Sequence, residues 1–200
     1  LISLRSPCAG IPPEIASGAA ELNQMPEMHR GEGFVRVLVL SDTHVPDRAR
    51  DLPAPVWREI AEADVTIHAG DWVEEGLLDR IEAVAGRLVA VHGNNDGPAL
   101  RRRLPEVARV ELDGLHVAVV HETGQARGRE RRCGRLFPDT DVLVFGHSHI
   151  PWDSETENGL RLLNPGSPTD RRRQPAATYL TMEVAAARLH DVRLHALPRR

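Results

Sequence analysis

Residues 34–44, FVRVLVLSDTH, begin as an almost unbroken apolar run and end abruptly in polar side chains. A strand covered on both faces of a sheet has this pattern, because neither face meets water. DVTIHAGDW (64–72) and RLVAVHGNND (87–96) repeat it. Between them, APVWREIAEA (54–63) reads as a short helix. VEEGLLDRIEAVA (73–85) places Leu77, Leu78, Ile81 and Val84 at the spacing of one buried helix face. The first half of the chain is therefore βαβαβ.

The pattern then changes. VARVELDGLHVAVVHETG (107–124) predicts a hairpin turning at Asp113-Gly114, a pair suited to a two-residue turn. QARGRERRCGRLF (125–137) predicts a charged helix, and DVLVFGHSH (141–149) another strand and loop. IPWDSE, LRLLNPGS, ATYLTMEV and AARLHDVRLHAL follow as short, strand-like pieces with a more antiparallel character. Two facing sheets with helices outside accommodate both halves. Residues 33–198 are expected to form a single domain. Residues 1–32 are expected to be a disordered N-terminal extension or the product of an upstream start, since Met25 and Met28 lie just before the first strand.

Composition narrows the chemistry. The formal charge of −4 does not suit a protein that binds bulk polyanions. Nucleic acid is thus not supported as a partner, although the arginine clusters Arg101–Arg103, RGRERR and Arg171–Arg173 could each grip a phosphate. All 25 basic residues are arginine, which rules out a Walker A lysine and Schiff-base catalysis. Cys8 and Cys133 are too few for a disulfide framework and form no CxxC, which points to a reducing cytoplasm. No apolar run is long enough to span a membrane, and the N-terminal apolar stretch is too short for a signal peptide.

The candidate chemistry lies at the strand ends. The first strand terminates in Asp42 and His44, the second in Asp71 and the third in Asn94. The hairpin's return strand ends in His121, and the next ends in His147 and His149. Ligands bind at the carboxyl ends of strands in open α/β sheets. Residues two apart in extended chain point to one side, about 7 Å apart, so each Asp-x-His or His-x-His pair can serve one pocket. Taken singly these motifs are weak: a Gly-Asp after a strand is commonly a turn, and a lone histidine is commonly a core residue. Together, and in order, they make a metal site. The imidazole, carboxylate and amide donors, with no thiolate, favour Mn, Fe, Zn, Ni or Co. Seven donors exceed one tetrahedral ion and suit two ions about 3.5–4 Å apart with a shared carboxylate.

D-x-H, G-D, G-N-x-D, H and G-H-x-H in this order resemble the calcineurin-like metallophosphoesterase superfamily. The compact length and NPGSP (164–168) resemble its small YfcE-like phosphodiesterase branch. The resemblance covers about residues 35–185. It implies an α/β (α+β) four-layer αββα sandwich of two facing mixed sheets flanked by helices. It also implies two divalent ions per chain, manganese first. Asp42, His44 and His149 would hold one ion, and Asn94, His121 and His147 the other, with Asp71 between them. A hydroxide held by the ions would attack the phosphorus of a small phosphoester, with Asp71, Asn94, Asn95 and His121 nearest the reaction.

Two departures from the family pattern matter. Many members carry a histidine after the motif asparagine; here it is Asn95, which cannot act as a general acid. That favours a phosphodiesterase over the alternative phosphomonoesterase. Many relatives have glycine after the hairpin histidine; here it is Glu122, which would either repel an anionic substrate or turn outward to an arginine. A non-catalytic protein-binding scaffold is the remaining alternative, and the complete set of seven argues against it. Beyond the seven, Asp96 is expected to orient a ligand, His68 and His92 to be buried, hydrogen-bonded strand histidines (the alternative being proton donors that line the pocket), and NPGSP to pack near the site.

Overall fold

The first strand shows why its sequence is apolar at consecutive positions. In β1 (Val35–Leu40), Val37 and Val39 enter the core between two sheets, while Leu38 and Leu40 face a layer of helices. All four are fully buried. The computed structural model describes residues 33–198, so the extension expected over residues 1–32 lies outside the described residues.

β1 is followed by α1 (Ala54–Glu62), β2 (Val65–Ala69), α2 (Glu75–Glu82), β3 (Leu88–Val91) and α3 (Pro98–Arg103). The hairpin β4 (Val107–Leu112) and β5 (Leu115–Val120) comes next, then α4 (Arg129–Leu136) and β6 (Val142–Val144). The chain closes with β7 (Trp152–Glu155), β8 (Arg161–Asn164), β9 (Thr178–Ala185) and β10 (Arg188–Ala196).

One sheet has the order β10-β9-β1-β2-β3 and the other β4-β5-β6-β8-β7. β1, β2 and β3 are parallel, as helical crossovers require, and β9 and β10 add antiparallel strands. The second sheet is parallel through β5, β6 and β8 and antiparallel at both edges. Valines and leucines from both inner faces form the central core. α1, α2 and α3 cover the outer face of the first sheet through Ile60, Leu78, Ile81 and Leu100, and α4 covers the second through Cys133. The expected four-layer αββα sandwich is thus the observed fold.

The hairpin turns at Asp113 and Gly114, both with positive φ, as predicted. Val84 does not join the buried face of α2. The helix ends at Glu82, and Val84 is 45% exposed.

Candidate metal centre

The loops after β1, β2, β3, β5 and β6 meet at one end of the sandwich. They carry Asp42 and His44, Asp71, Asn94 and Asn95, His121, and His147 and His149 respectively. Asp42, His44, Asp71, His147 and His149 all adopt left-handed backbone conformations, with φ between 44° and 68°. Such a conformation costs a non-glycine residue roughly 1–3 kcal/mol and clusters at functional sites. Two glycines permit the convergence. A Cβ on Gly93 would overlap the Asp71 carboxylate, and one on Gly146 would overlap Ser41 Oγ and approach Asp42 Oδ2. The glycine of GHSH therefore lets the chain cross directly above Asp42.

All seven predicted side chains come together. Asp42, His44 and His149 bring one ligand atom each within 4.8 Å of one another, and so do Asp42, Asp71 and His121. His149 Nε2 lies 3.3 Å from Asp42 Oδ1 and 3.2 Å from His44 Nε2. On the other side, Asn94 Oδ1 lies 3.0 Å from His121 Nε2 and 2.8 Å from His147 Nδ1. Asp71 spans the two groups, with Oδ2 3.5 Å from His44 Nε2 and Oδ1 3.3 Å from His121 Nε2. Asp42, His44, Asp71, His121 and His149 are buried, whereas Asn94, Asn95 and His147 are exposed and form the rim. A cleft of about 260 Å³ opens beside His44 and Asn95, with Arg48 and Arg172 on its walls.

A supporting layer fixes these residues. Asp96 is buried and accepts hydrogen bonds from the backbone N–H groups of Asp71 (3.1 Å), Trp72 (2.8 Å), Val73 (2.8 Å) and Gly93 (2.6 Å). It acts on the loops that carry the ligands, which is how it fulfils the orienting role expected of it. Asp96→Ala leaves these donors unsatisfied, each worth about 1–3 kcal/mol when buried. We expect a loss of at least about 3 kcal/mol in chemical denaturation, with Asp96→Asn losing less. Ser41 Oγ donates to Asp42 Oδ2 (2.6 Å), Ser167 Oγ to the Asp42 carbonyl (2.7 Å), and Asn164 Nδ2 to the Gly146 carbonyl (2.8 Å). NPGSP therefore packs against the site, as anticipated.

Four arginines of these clusters are structural. Arg101 donates to the carbonyls of Gly93, Asn94 and Asp96. Arg103 pairs with Glu75, Asp79 and Glu82. Arg129 is buried between the rings of Phe145 and Trp152, and Arg132 holds the Thr123 and Gln125 carbonyls. Only Arg172 of these clusters lines the cleft. His68 is a buried strand residue stacked on Trp72, as expected. His92 departs from that expectation: it lies one residue past β3, is half-buried and reaches Arg101.

Burial and charge set the protonation states. Burial holds His149 down to about 4 and also lowers His44 and His147, which favours the neutral imidazoles a cation requires. Burial would lower His121 too, but its hydrogen bond to Asp71 and the Asp42 and Asp71 charges raise it to about 9. Burial pushes the Asp42 carboxyl up to about 7, with the His121 charge opposing. Burial would also raise Asp71; bonding and charge from His121, and two hydrogen bonds from Asn95, instead hold it well below the carboxylate range.

Asp42 Oδ1 is the telling atom. Among the described residues it has no hydrogen-bond partner, although it is fully buried and the His149 and His44 Nε2 atoms lie 3.3 Å and 4.0 Å away. A buried, half-satisfied carboxylate is costly unless a cation completes it. Buried carboxylates, imidazoles and an amide oxygen form the donor set of a first-row divalent ion, so the residues present fit a metal.

The profile of the calcineurin-like phosphoesterase superfamily domain matches residues 35–187. The chain belongs to that superfamily. A probable metallophosphoesterase of Methanocaldococcus jannaschii is 38% identical over 138 residues, covering 68% of this chain and 70% of the relative. A phosphodiesterase of the same organism is 23% identical over 145 residues, 66% of this chain and 83% of that protein. Vacuolar protein sorting 29 of Cryptosporidium parvum shares the fold with a TM-score of 0.67 at 18% identity, over 84% of this chain and 100% of that one.

Both departures from the family pattern acquire a geometry in this member of the calcineurin-like phosphoesterase superfamily. Asn95 donates from its backbone N–H to Asp71 Oδ1 (2.9 Å) and from Nδ2 to Asp71 Oδ2 (2.6 Å). Glu122 is not turned to an arginine; its Oε1 lies 3.2 Å from His147 Nε2.

Proposed function

We propose that this chain is a metal-dependent phosphodiesterase with a dinuclear centre, manganese being the favoured ion. The observation that carries this reading is the buried, donor-less Oδ1 of Asp42 beside two neutral imidazoles. Asp42, His44 and His149 would hold one ion, Asn94, His121 and His147 the other, with the Asp71 carboxylate shared. When bound, paired ions neutralise charge on phosphoryl oxygens and supply a nucleophile from water near neutral pH.

The chain's own residues do the remaining work. Asp96 and the left-handed loops fix the donors before substrate arrives, so little reorganisation accompanies the reaction. Asn95 holds Asp71 with both of its donors and offers the rim an amide, not a proton. A poor leaving group therefore has no acid at this position, which favours diesters with stable leaving alkoxides. The cleft beside His44 suits a small phosphoester, with Arg48 and Arg172 on its walls. No helix of the described residues is long and apolar enough to cross a membrane. Cys133 is a free buried thiol, raised to about 11 by burial, which fits the cytoplasmic location we assign.

Protein stripped with a chelator and refilled with Mn²⁺ should hydrolyse an aryl phosphodiester at least about tenfold better, by kcat/KM, than the matching monoester, a barrier difference of ~1.4 kcal/mol. The stripped protein should show background rates. Equal turnover with and without metal overturns the mechanism; a preference for the monoester makes the chain a phosphomonoesterase. Metal binding without turnover of either ester would favour the scaffold.

A further inference from the structure

Three of the four site imidazoles share one arrangement: one nitrogen aims into the site and the other rests on an oxygen. His121 Nδ1 lies 2.7 Å from the Ala69 carbonyl, and His149 Nδ1 lies 2.6 Å from the Asp170 carbonyl. Their inward atoms are Nε2. His147 is reversed. Its inward nitrogen is Nδ1, 2.8 Å from Asn94 Oδ1, and its outer Nε2 meets the Glu122 carboxylate at 3.2 Å.

His147 stands on the rim, 46% exposed, and its outer nitrogen meets a side chain where those of His121 and His149 meet backbone carbonyls. We propose that Glu122 is a positioning residue: it fixes the His147 ring with its proton on Nε2, so that the Nδ1 lone pair points where Asn94 Oδ1 and His121 Nε2 also point. This rests on the two-ion reading above. A neutral imidazole has one N–H. Were that proton on Nδ1, a bare Nε2 would face the negative carboxylate. With the proton on Nε2, Nδ1 and Asn94 Oδ1 present two lone pairs to one point, the arrangement a cation completes. Carboxylates that hold a ligating imidazole in this way raise its basicity and fix its orientation, and losing one costs about 10–100-fold in metal affinity. The carboxylate found where many relatives have glycine thus serves the site.

The test uses the full chain and Zn²⁺, which permits NMR. Imidazole ¹⁵N shifts report the His147 tautomer, and calorimetry reports each ion's affinity. Glu122 is 43% exposed, so its variants should fold. In the metal-free wild type, the Glu122 carboxylate should favour a proton on Nε2 over one on Nδ1, where the neutral Asn94 amide oxygen is the competing acceptor at 2.8 Å. Glu122→Ala removes the carboxylate, so it should move the proton toward Nδ1 and weaken one ion about 10–100-fold while sparing the other. Glu122→Gln, which keeps an acceptor oxygen, should restore both readouts to within a few-fold. An unchanged tautomer in Glu122→Ala, or equal loss of both ions, overturns the proposal. A wild type that binds one ion, yet whose tautomer still shifts in Glu122→Ala, would refute the dinuclear reading and leave Glu122 as the holder of His147.

Discussion

Asp71→Asn should lower kcat/KM for an aryl phosphodiester by about 10³-fold or more, with the protein still folded. Asp71 is the one carboxylate whose two oxygens face the two halves of the site, 3.5 Å from His44 and 3.3 Å from His121. It also stays ionised, because His121 and Asn95 hold it low. Asparagine keeps the shape and tolerates the left-handed φ of 62° at this position. It removes the charge and turns an NH₂ either toward His44 and the Asn95 Nδ2 donor or toward His121 and the Asn95 backbone N–H. Losing the charge shared between two cations removes several kcal/mol of electrostatic stabilisation, and ~1.4 kcal/mol is a factor of ten in rate. Circular dichroism and a denaturation midpoint will separate this from unfolding. If the folded variant keeps more than about a tenth of wild-type kcat/KM, Asp71 does not bridge the two ions.

Much of this centre is legible in the chain because each donor follows a strand whose apolar run marks it as buried. Leu38 and Leu40 facing helices, with Val37 and Val39 facing the other sheet, are what an unbroken apolar run predicts. The short helix α3 escapes that logic. Its six residues, PALRRR, show no apolar period, and only Leu100 is buried. The supporting layer is legible only in part. Asp96 in G-N-x-D and Ser167 in NPGSP can be placed near the site, but their partners, backbone donors about 25 residues away and the Asp42 carbonyl 125 residues away, leave no local signature. Glu122 can be recognised as a departure, but its orientation depends on His147, which lies on a different strand end. A ligand type can be read from residue identity and position. Which nitrogen of a ring faces inward is decided by tertiary contacts.

Metal binding should be strongly pH-dependent, because the metal-free site holds protons where the ions belong. Asp42 titrates at about 7 and His121 at about 9, against ordinary values of 3.8 and 6.5. A cation needs both groups deprotonated. Binding should therefore release roughly two protons below pH 7, about one between pH 7 and 9, and none above. Affinity should rise with pH by about 100-fold per unit in the first window and about tenfold per unit in the second. Both pKa values lie above their unfolded values, so the folded metal-free chain binds the protons more tightly. The Asp42 contribution to stability is complete below pH 3.8 and is lost as pH rises through about 7. That of His121 is complete below pH 6.5 and is lost through about 9. The lowered imidazoles His44, His147 and His149 act with the opposite sign up to about pH 6.5, so the metal-free Tm should fall as pH rises from about 7 toward 9, and saturating Mn²⁺ should remove or reverse the trend, since an ion that binds only the folded chain stabilises it more as its affinity grows. Calorimetry in buffers of different ionisation enthalpy counts the protons directly. A proton count near zero at pH 6.5, or a metal-free Tm that climbs with pH over this range, would show that the buried carboxylate and His121 are not where the cation binds.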